Sequence, residues 1–267
     1  MLKKTLKYTA YRIAPKISYY IDRFLLERRR LSSSFNVTGV DARNGHDAEA
    51  LIAEAKRVRQ SLESARSIEE IVDLLNQCSL IRSNQRRTEI IGFARLIEQL
   101  KPTTICEIGA AGGGTLALFA AIASPTADFY SIDLAYTSAQ RQAFPLLISP
   151  TQKLTMLAGD SHAPGTFQAL KQWLGNRRLD LLFIDGDHSY EGVAQDYEMY
   201  APLVGTGGIV GFHDIIDDYK TRYGLPTTSD VGGVPAFWRE LKARIAHSSE
   251  FVEHPWQDGL GIGVVRC

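Results

Sequence analysis

The sequence predicts an α/β protein with a doubly wound, mostly parallel sheet that ends in an antiparallel hairpin and follows a helical N-terminal extension. Three observations predict it. Short β-rich runs alternate with helical stretches from residue 103 onward, apolar residues recur at helical spacing through the first hundred residues, and two strand-like runs near the C-terminus leave no room for a helix between them. With 267 residues, 45% of them apolar, the chain can fill one substantial core and carry an attachment. The expected division is residues 1–80 as the helical extension and 81–267 as the main domain.

The first thirty residues carry Lys3, Lys4, Lys7, Arg12, Lys16, Arg23, Arg28, Arg29 and Arg30 against only Asp22 and Glu27. Leu2, Leu6, Ala10, Ile13, Ile17, Ile21 and Phe24 recur at helical spacing, with Pro15 as a break or a helix start. Two readings fit this basic amphipathic pattern: a helix for a membrane surface or a partner, and a helix packed on its own domain or a sister subunit with its charges in water. Residues 31–45, rich in Ser, Asn and Gly, read as a linker, and 46–65, 67–78 and 84–100 as helices.

Strands are expected at 103–108, 128–134, 153–158, 179–184 and 208–212, with helices at 114–123, 137–148, 165–174, 190–203 and 235–246. Repeated βαβ units of this kind make a parallel sheet. The last two runs, 251–256 and 260–265, are separated by only Gln257-Asp258-Gly259, which calls for an antiparallel hairpin at a sheet edge. No repeat at a 20–50 residue period and no low-complexity tract interrupts this order.

Composition excludes several classes. Thirty basic residues balance thirty acidic ones, so the chain as a whole has no field that would draw it to nucleic acid. Cys78, Cys106 and Cys267 are odd in number and form no C-x-x-C pair, which argues against a disulfide framework or structural zinc and for a reducing cytoplasm. No apolar run approaches the roughly 20 residues that span a bilayer, and Arg12 and Lys16 interrupt any signal-peptide core. A cytoplasmic protein is expected.

The first strand runs into Glu107-Ile108-Gly109-Ala110-Ala111-Gly112-Gly113-Gly114 and a helix follows. Glycines suit a sharp strand-to-helix turn that a nucleotide can touch. Asp133, at the end of the second strand, is placed to accept ribose hydroxyls or to cap the next helix. The third strand ends in Gly159-Asp160-Ser161, where a purine could be addressed.

The densest reactive segment, Phe183-Ile184-Asp185-Gly186-Asp187-His188-Ser189-Tyr190, follows the fourth strand, and Phe212-His213-Asp214 follows the fifth. In a doubly wound sheet both open on the carboxyl edge that carries the glycine turn. Asp185, His188, His213 and Asp214 there offer oxygen and imidazole ligands with a base beside them, although each acid could instead cap a helix. An alkyl hydroxyl, with a pKa of roughly 15, needs a base, an acidifying metal, or both before it attacks an electrophile. Between Asp217 and Pro235, Tyr219, Tyr223, Gly224, Pro226, Gly232 and Gly233 suit a mobile cover over the cleft, with Tyr219 or Tyr223 offering a face to a sugar or flat substrate. Phe237 and Trp238 are expected in the core of the next helix.

With Glu107-x-Gly109-x-x-x-Gly113 and Asp133, residues 84–267 resemble the class I S-adenosylmethionine-dependent methyltransferases, whose fold is Rossmann-like. The two later blocks resemble the metal-assisted macrocin and mycinamicin sugar O-methyltransferases and the cephalosporin hydroxylase-like proteins. The resemblance implies that Glu107 lies near the methionine amine, that Gly109 and Gly113 admit the cofactor, that Asp133 takes the ribose, and that Asp160 and Ser161 sit by the adenine, with Asp185 closing the cofactor site. It further implies a divalent cation, magnesium or manganese, on Asp185 and Asp214, and His188 as the base that deprotonates a small-molecule hydroxyl acceptor. Where the sugar enzymes carry a glutamate this chain has His213, and imidazole suits manganese, iron or zinc better than magnesium.

A dinucleotide dehydrogenase would not be expected to end in the hairpin. A protein that binds the cofactor without chemistry and acts through residues 1–30 is the alternative from another class. Nucleic acid is not an expected partner, a peptide acceptor stays open, and a homo-oligomer is expected from the helical extension.

Overall fold

A computed structural model describes residues 46–267; the amphipathic segment 1–30 and the linker 31–45 lie outside them. Seven strands form one sheet in the order β3-β2-β1-β4-β5-β7-β6, where β1 is Thr104–Ile108, β2 Asp128–Asp133, β3 Lys153–Ala158, β4 Leu179–Ile184, β5 Val204–His213, β6 Ser248–Phe251 and β7 Ile262–Arg266. β1 to β5 run parallel and β7 pairs antiparallel with both β5 and β6. The helices are α1 (His46–Ser64), α2 (Ile68–Gln77), α3 (Arg87–Leu100), α4 (Gly114–Ile122), α5 (Ser138–Ala143), α6 (Pro164–Leu174), α7 (Tyr190–Tyr200), α8 (Tyr219–Tyr223) and α9 (Val234–Lys242). None of the described helices is long and apolar enough to cross a membrane.

Alternation along the strands splits the core between two faces. Ile105, Leu181, Phe183 and Ile209 pack with the apolar sides of α1 to α4, whereas Cys106, Ile108, Leu182, Ile184, Val210 and Phe212 pack with α6, α7 and α9. Phe93 of α3 stacks on Phe183 at 5.5 Å, and Phe119 of α4 meets Phe183 edge-on at the same separation. α1 and α2 share this core through Ala55, Val58, Leu62, Ile71 and Leu75. Phe237 and Trp238 are buried as expected, and Trp238 lies against Gly263 of β7, where any Cβ would fall 2.7 Å from the indole.

Two helices expected from periodicity stop early for one reason. α5 passes into a 3-10 turn at Phe144–Leu146 and α7 into another at Ala201–Leu203; Pro145 and Pro202 sit at the second residue of these turns and cannot donate the next helical hydrogen bond. β5 begins four residues earlier than its apolar run, because Val204 pairs with Leu179 of β4 across a register shift, and Gly207 N and Cys267 N donate to Cys267 O and Gly208 O.

The C-terminal pair is antiparallel, but its expected tight turn is not there. β6 lies at 248–251, so 252–261 form a ten-residue connection and 252–256 is not a strand; β7 is interior and β6 is the edge. The connection is held by Glu89 of α3, which is fully buried: its carboxylate accepts from Glu253 N (3.2 Å), Gln257 Nε2 (2.6 Å) and Gly261 N (3.0 Å). Three donors on one buried acid override the strand propensity of residues 252–256.

Glu89→Ala leaves those donors unsatisfied, and each buried orphan costs about 1–3 kcal/mol. The expected outcome in a thermal melt is a fall of roughly 10 °C, with Glu89→Gln falling less. An unchanged melting temperature for the alanine variant would show that the carboxylate does not hold this connection.

Candidate active site

The cleft lies where β1 and β4 diverge toward opposite wings of the sheet, the point at which doubly wound folds take ligands. Its volume is about 710 Å³, and its walls include Gly109, Asp133, Asp160, His162, Asp185, His188 and Asp230. Two backbone bonds close its floor, Gly109 N to Ile132 O and Asp185 N to Ile108 O, both 2.8 Å. Gly109 has φ +91°, and a Cβ there would stand 2.0 Å from Asp185 O, so the residue is glycine because two strand ends touch. Gly113, also at positive φ, is pressed against Phe144 and Leu147.

The segment before α3 is laid over the glycine turn. Buried Glu54 of α1 accepts from the backbone nitrogens of Ser79 (2.8 Å), Leu80 (2.8 Å) and Ile81 (3.3 Å), and a Cβ on Gly112 or Gly114 would strike Leu80 O or Arg82. This path delivers Gln85, which is buried and donates from Nε2 to Asp185 Oδ2 at 3.4 Å, while its Oε1 has no partner. Nothing in the local pattern around residue 85 marks it, because its partner is a hundred residues away.

Asp133 does not cap α5; Thr137 and Gln140 form a capping box there. Asp133 Oδ2 instead accepts from Ala110 N at 2.9 Å and, more loosely, from Ala111 N at 3.4 Å. Glu107 is 2% exposed and not part of the open cleft's lining, and neither oxygen has a directed hydrogen-bond partner. Burial pushes its carboxyl up to about 8, against the nearby Thr115 hydroxyl and with help from Asp185 and Asp133. At the far end, Ser161 is buried and Asp160 exposed.

Asp185, His188, His213 and Asp214 do converge. Donor atoms of Asp185, His188 and Asp214 lie within 4.8 Å of one another. His213 sits behind them, 4% exposed, with Nδ1 3.1 Å from Asp185 Oδ1 and 3.3 Å from Asp214 Oδ2. His188 stands on the cleft side, 31% exposed, 3.6 Å from each of the same two acids, and its Nδ1 contacts Asp230 O. Asp214 takes a left-handed backbone at φ +60° and leaves Oδ1 buried without a partner. Burial opposes the charge on Asp185, yet the two imidazoles outweigh it and hold the acid at about 2. The Asp185 hydrogen bond, against burial and with Asp214, raises His188 to about 9; His213 rises well above its ordinary value because both acids outweigh its burial. The helix caps are supplied elsewhere, by Ser189 for α7 and Asp218 for α8.

The cover is partly built. α8 occupies its start, and Tyr219 is buried, 5.8 Å from Tyr223. It therefore offers no face to a substrate; neither tyrosine lines the cleft. What closes over His188 is the later part: Gly233 N donates to His188 O at 2.7 Å, and a Cβ on Gly232 would stand 2.1 Å from that oxygen. Asp258 ties the loop from below, accepting from Tyr219 N and Thr227 Oγ1, both at 2.7 Å.

Residues 106–215 match the family described as a methyltransferase domain. Uncharacterized protein R132 of Acanthamoeba polyphaga mimivirus is 46% identical over 42 residues, 16% of this chain and 19% of that protein, so the similarity spans about a fifth of the relative. The O-methyltransferase TomG from Streptomyces achromogenes, involved in tomaymycin synthesis and solved with SAM, superposes over 88% of this chain and 92% of its own at TM-score 0.52 and 14% identity. An O-methyltransferase from Bacillus cereus in complex with SAH does so over 82% and 100%, with the same score and identity. MycE, from the mycinamycin biosynthetic pathway, matches 66% of this chain but 47% of its own at TM-score 0.45 and 15% identity, so the chain spans about half its length. The fold is the one these O-methyltransferase structures share, and residues 106–215 resemble a methyltransferase domain.

Glu107 and His188 both have folded pKa values above their ordinary ones, so between about pH 4.5 and 9 the folded ligand-free protein holds protons that the unfolded chain has released. Its stability is therefore greatest at mildly acidic pH and falls as pH rises through 8 to 9. Glu107→Gln should melt higher than wild type at pH 8.5 and no higher at pH 5; equal pH slopes for the two proteins would refute the assignment.

Proposed function

We propose that the chain transfers a methyl group from S-adenosylmethionine to a hydroxyl of a small molecule, with Asp185 and Asp214 holding a divalent cation and His188 taking the hydroxyl proton. The observation that carries this reading is the contact of Gly109 with Asp185, which makes the cofactor turn and the carboxylate–imidazole cluster two walls of one cleft.

The residues fit both groups. Glu107, buried with two unpartnered oxygens, is matched to the ammonium of the methionine moiety, Asp133 to the ribose, and Asp160 with Ser161 to the adenine. Two carboxylates, one with a buried unpartnered oxygen, and the His213 imidazole against both of them are a donor set for a cation, and an imidazole favours manganese over magnesium. When bound, the cofactor supplies an electrophilic methyl group and the cation lowers the pKa of a hydroxyl beside it.

His188 and His213 divide the work by exposure. His213 reaches only the two carboxylates from the buried side, which suits a ligand or an orienting group. His188 faces the cleft and can reach an acceptor; Asp185 and the Asp230 carbonyl fix its ring. It must be neutral to accept a proton, and a cation on Asp185 and Asp214 weakens the pairing that keeps it charged. Direct displacement requires no covalent enzyme intermediate. Exclusion of water falls to the 228–233 strap and to the 79–86 segment.

Residues 81–267 are the catalytic domain in this reading and the preceding helices its support. A sugar-like or natural-product-like acceptor is favoured, in keeping with the role described for TomG. The segment 1–30 is left to meet a membrane surface, a partner or a second copy.

Calorimetry tests the proposal. S-adenosylmethionine should bind at micromolar concentration, Asp133→Ala should weaken it at least roughly tenfold, and a manganese heat should vanish in Asp185→Ala. Proton release through Glu107 should make binding tighter from pH 6 to 8. His188→Ala should keep cofactor binding and lose transfer to an acceptor. Absence of cofactor binding by wild type would overturn the proposal, whereas binding with biological activity intact in His188→Ala would favour the non-catalytic alternative.

A further inference from the structure

Gln85 comes from the segment before α3, outside the residues 106–215 that match the methyltransferase family, yet it reaches the carboxylate cluster. It is 7% exposed, and its amide faces an acid: Nε2 donates to Asp185 Oδ2 at 3.4 Å. An ionised carboxylate has no hydrogen to give, so the amide turns its nitrogen toward Asp185 and leaves Oε1 buried without a partner. An apolar side chain of the same size would cost less in that place. A buried amide held in one orientation at the expense of its own oxygen marks the contact that it keeps.

The backbone is anchored on both sides of this contact. Upstream, Glu54 of α1 accepts from the backbone nitrogens of residues 79–81, and Gly114 lies against Arg82 and Ser83 at the start of α4. Downstream, Arg86 pairs with Glu253 at 3.1 Å and reaches Asp258 O at 3.5 Å. Gln85 is therefore delivered by a fixed path. Asp185 divides its two oxygens. Both imidazoles lie on the Oδ1 side, His213 Nδ1 at 3.1 Å and His188 Nε2 at 3.6 Å, whereas Oδ2 has Gln85 as its directed donor among the described residues. With a cation on Oδ1 the imidazole hydrogen there is displaced, and the Gln85 bond is the one that remains to hold the plane of the carboxylate. At 3.4 Å the bond is long, as such bonds often are before a ligand fixes the site. A ligating carboxylate depends on a partner of this kind for its orientation.

We propose that Gln85 is a positioning residue for the cation site: it fixes the carboxylate of Asp185 for the metal without touching the metal itself. This rests on the cation reading above and carries it beyond the matched domain, since α1 then supports the site through Glu54 and residues 79–81.

The test uses the full chain with manganese as the probe, titrated into wild type, Gln85→Met, Gln85→Asn and Asp185→Ala; calorimetry reads the affinity and electron paramagnetic resonance the bound ion. Gln85→Met keeps the bulk and loses the donor, and Gln85→Asn keeps an amide that is too short to reach. Both should weaken manganese binding roughly ten- to hundredfold and alter the spectrum of the ion still bound. S-adenosylhomocysteine binding, measured without metal, should stay close to wild type in both, and the melting temperature of Gln85→Met should not fall. Asp185→Ala should lose the ion altogether. Gln85→Asn stands in if the methionine variant does not fold. Unchanged manganese affinity and spectrum in the variants would overturn the inference. So would a loss of manganese that comes with an equal loss of S-adenosylhomocysteine binding and a lower melting temperature, which marks a merely structural role. If wild type binds no manganese, or Asp185→Ala binds it as wild type does, the cation reading itself fails and takes this inference with it.

Discussion

The rest of the site depends on one close approach, that of Gly109 to the backbone of Asp185. β1 and β4 are neighbours in the sheet, but their following segments leave toward opposite wings, and at that parting the glycine turn and the Asp185 turn touch. No side chain fits between them. The contact converts two distant sequence blocks into facing walls of one cleft.

Around that contact the protein places more buried charge than stability favours. Glu107, Asp185, Asp196 and Asp214 are carboxylates in or beside the cleft, and Glu107 has no directed donor. The histidines answer part of this: His213 and His188 face Asp185 and Asp214, and His162 faces Asp196. Apolar residues would cost less in these positions, so the acids are best understood as groups whose partners arrive with ligands. Glu54 and Glu89 are different in kind, because backbone and amide donors satisfy them and they serve to fix the loops at the two ends of the core.

Much of this was legible in the chain. The parallel strands stood out because each is a short apolar run whose alternate residues meet helices on opposite faces, and the glycine turn because positive φ admits few other residues. The errors have two causes, proline breaks set against helical periodicity and tertiary override of a local signal. Pro145 and Pro202 cut helices that periodicity extended; Glu89 captured 252–261 and displaced the last hairpin; Tyr219, read as a substrate platform, is buried under its own loop. Gln85 and Asp196 carried no motif at all, since their partners lie 100 and 34 positions away and no spacing rule reaches so far.

The sequence by itself determined the order of elements, the glycine turn, and which residue types could do chemistry, because these follow from periodicity, backbone freedom and side-chain chemistry that are local. Only the tertiary structure decided which imidazole faces the cleft and which is sealed behind the acids, which loop covers His188, and which buried carboxylates lack partners. Those are properties of distance and solvent access between segments far apart in the chain, and no residue carries them until the sheet has brought its strand ends to one edge.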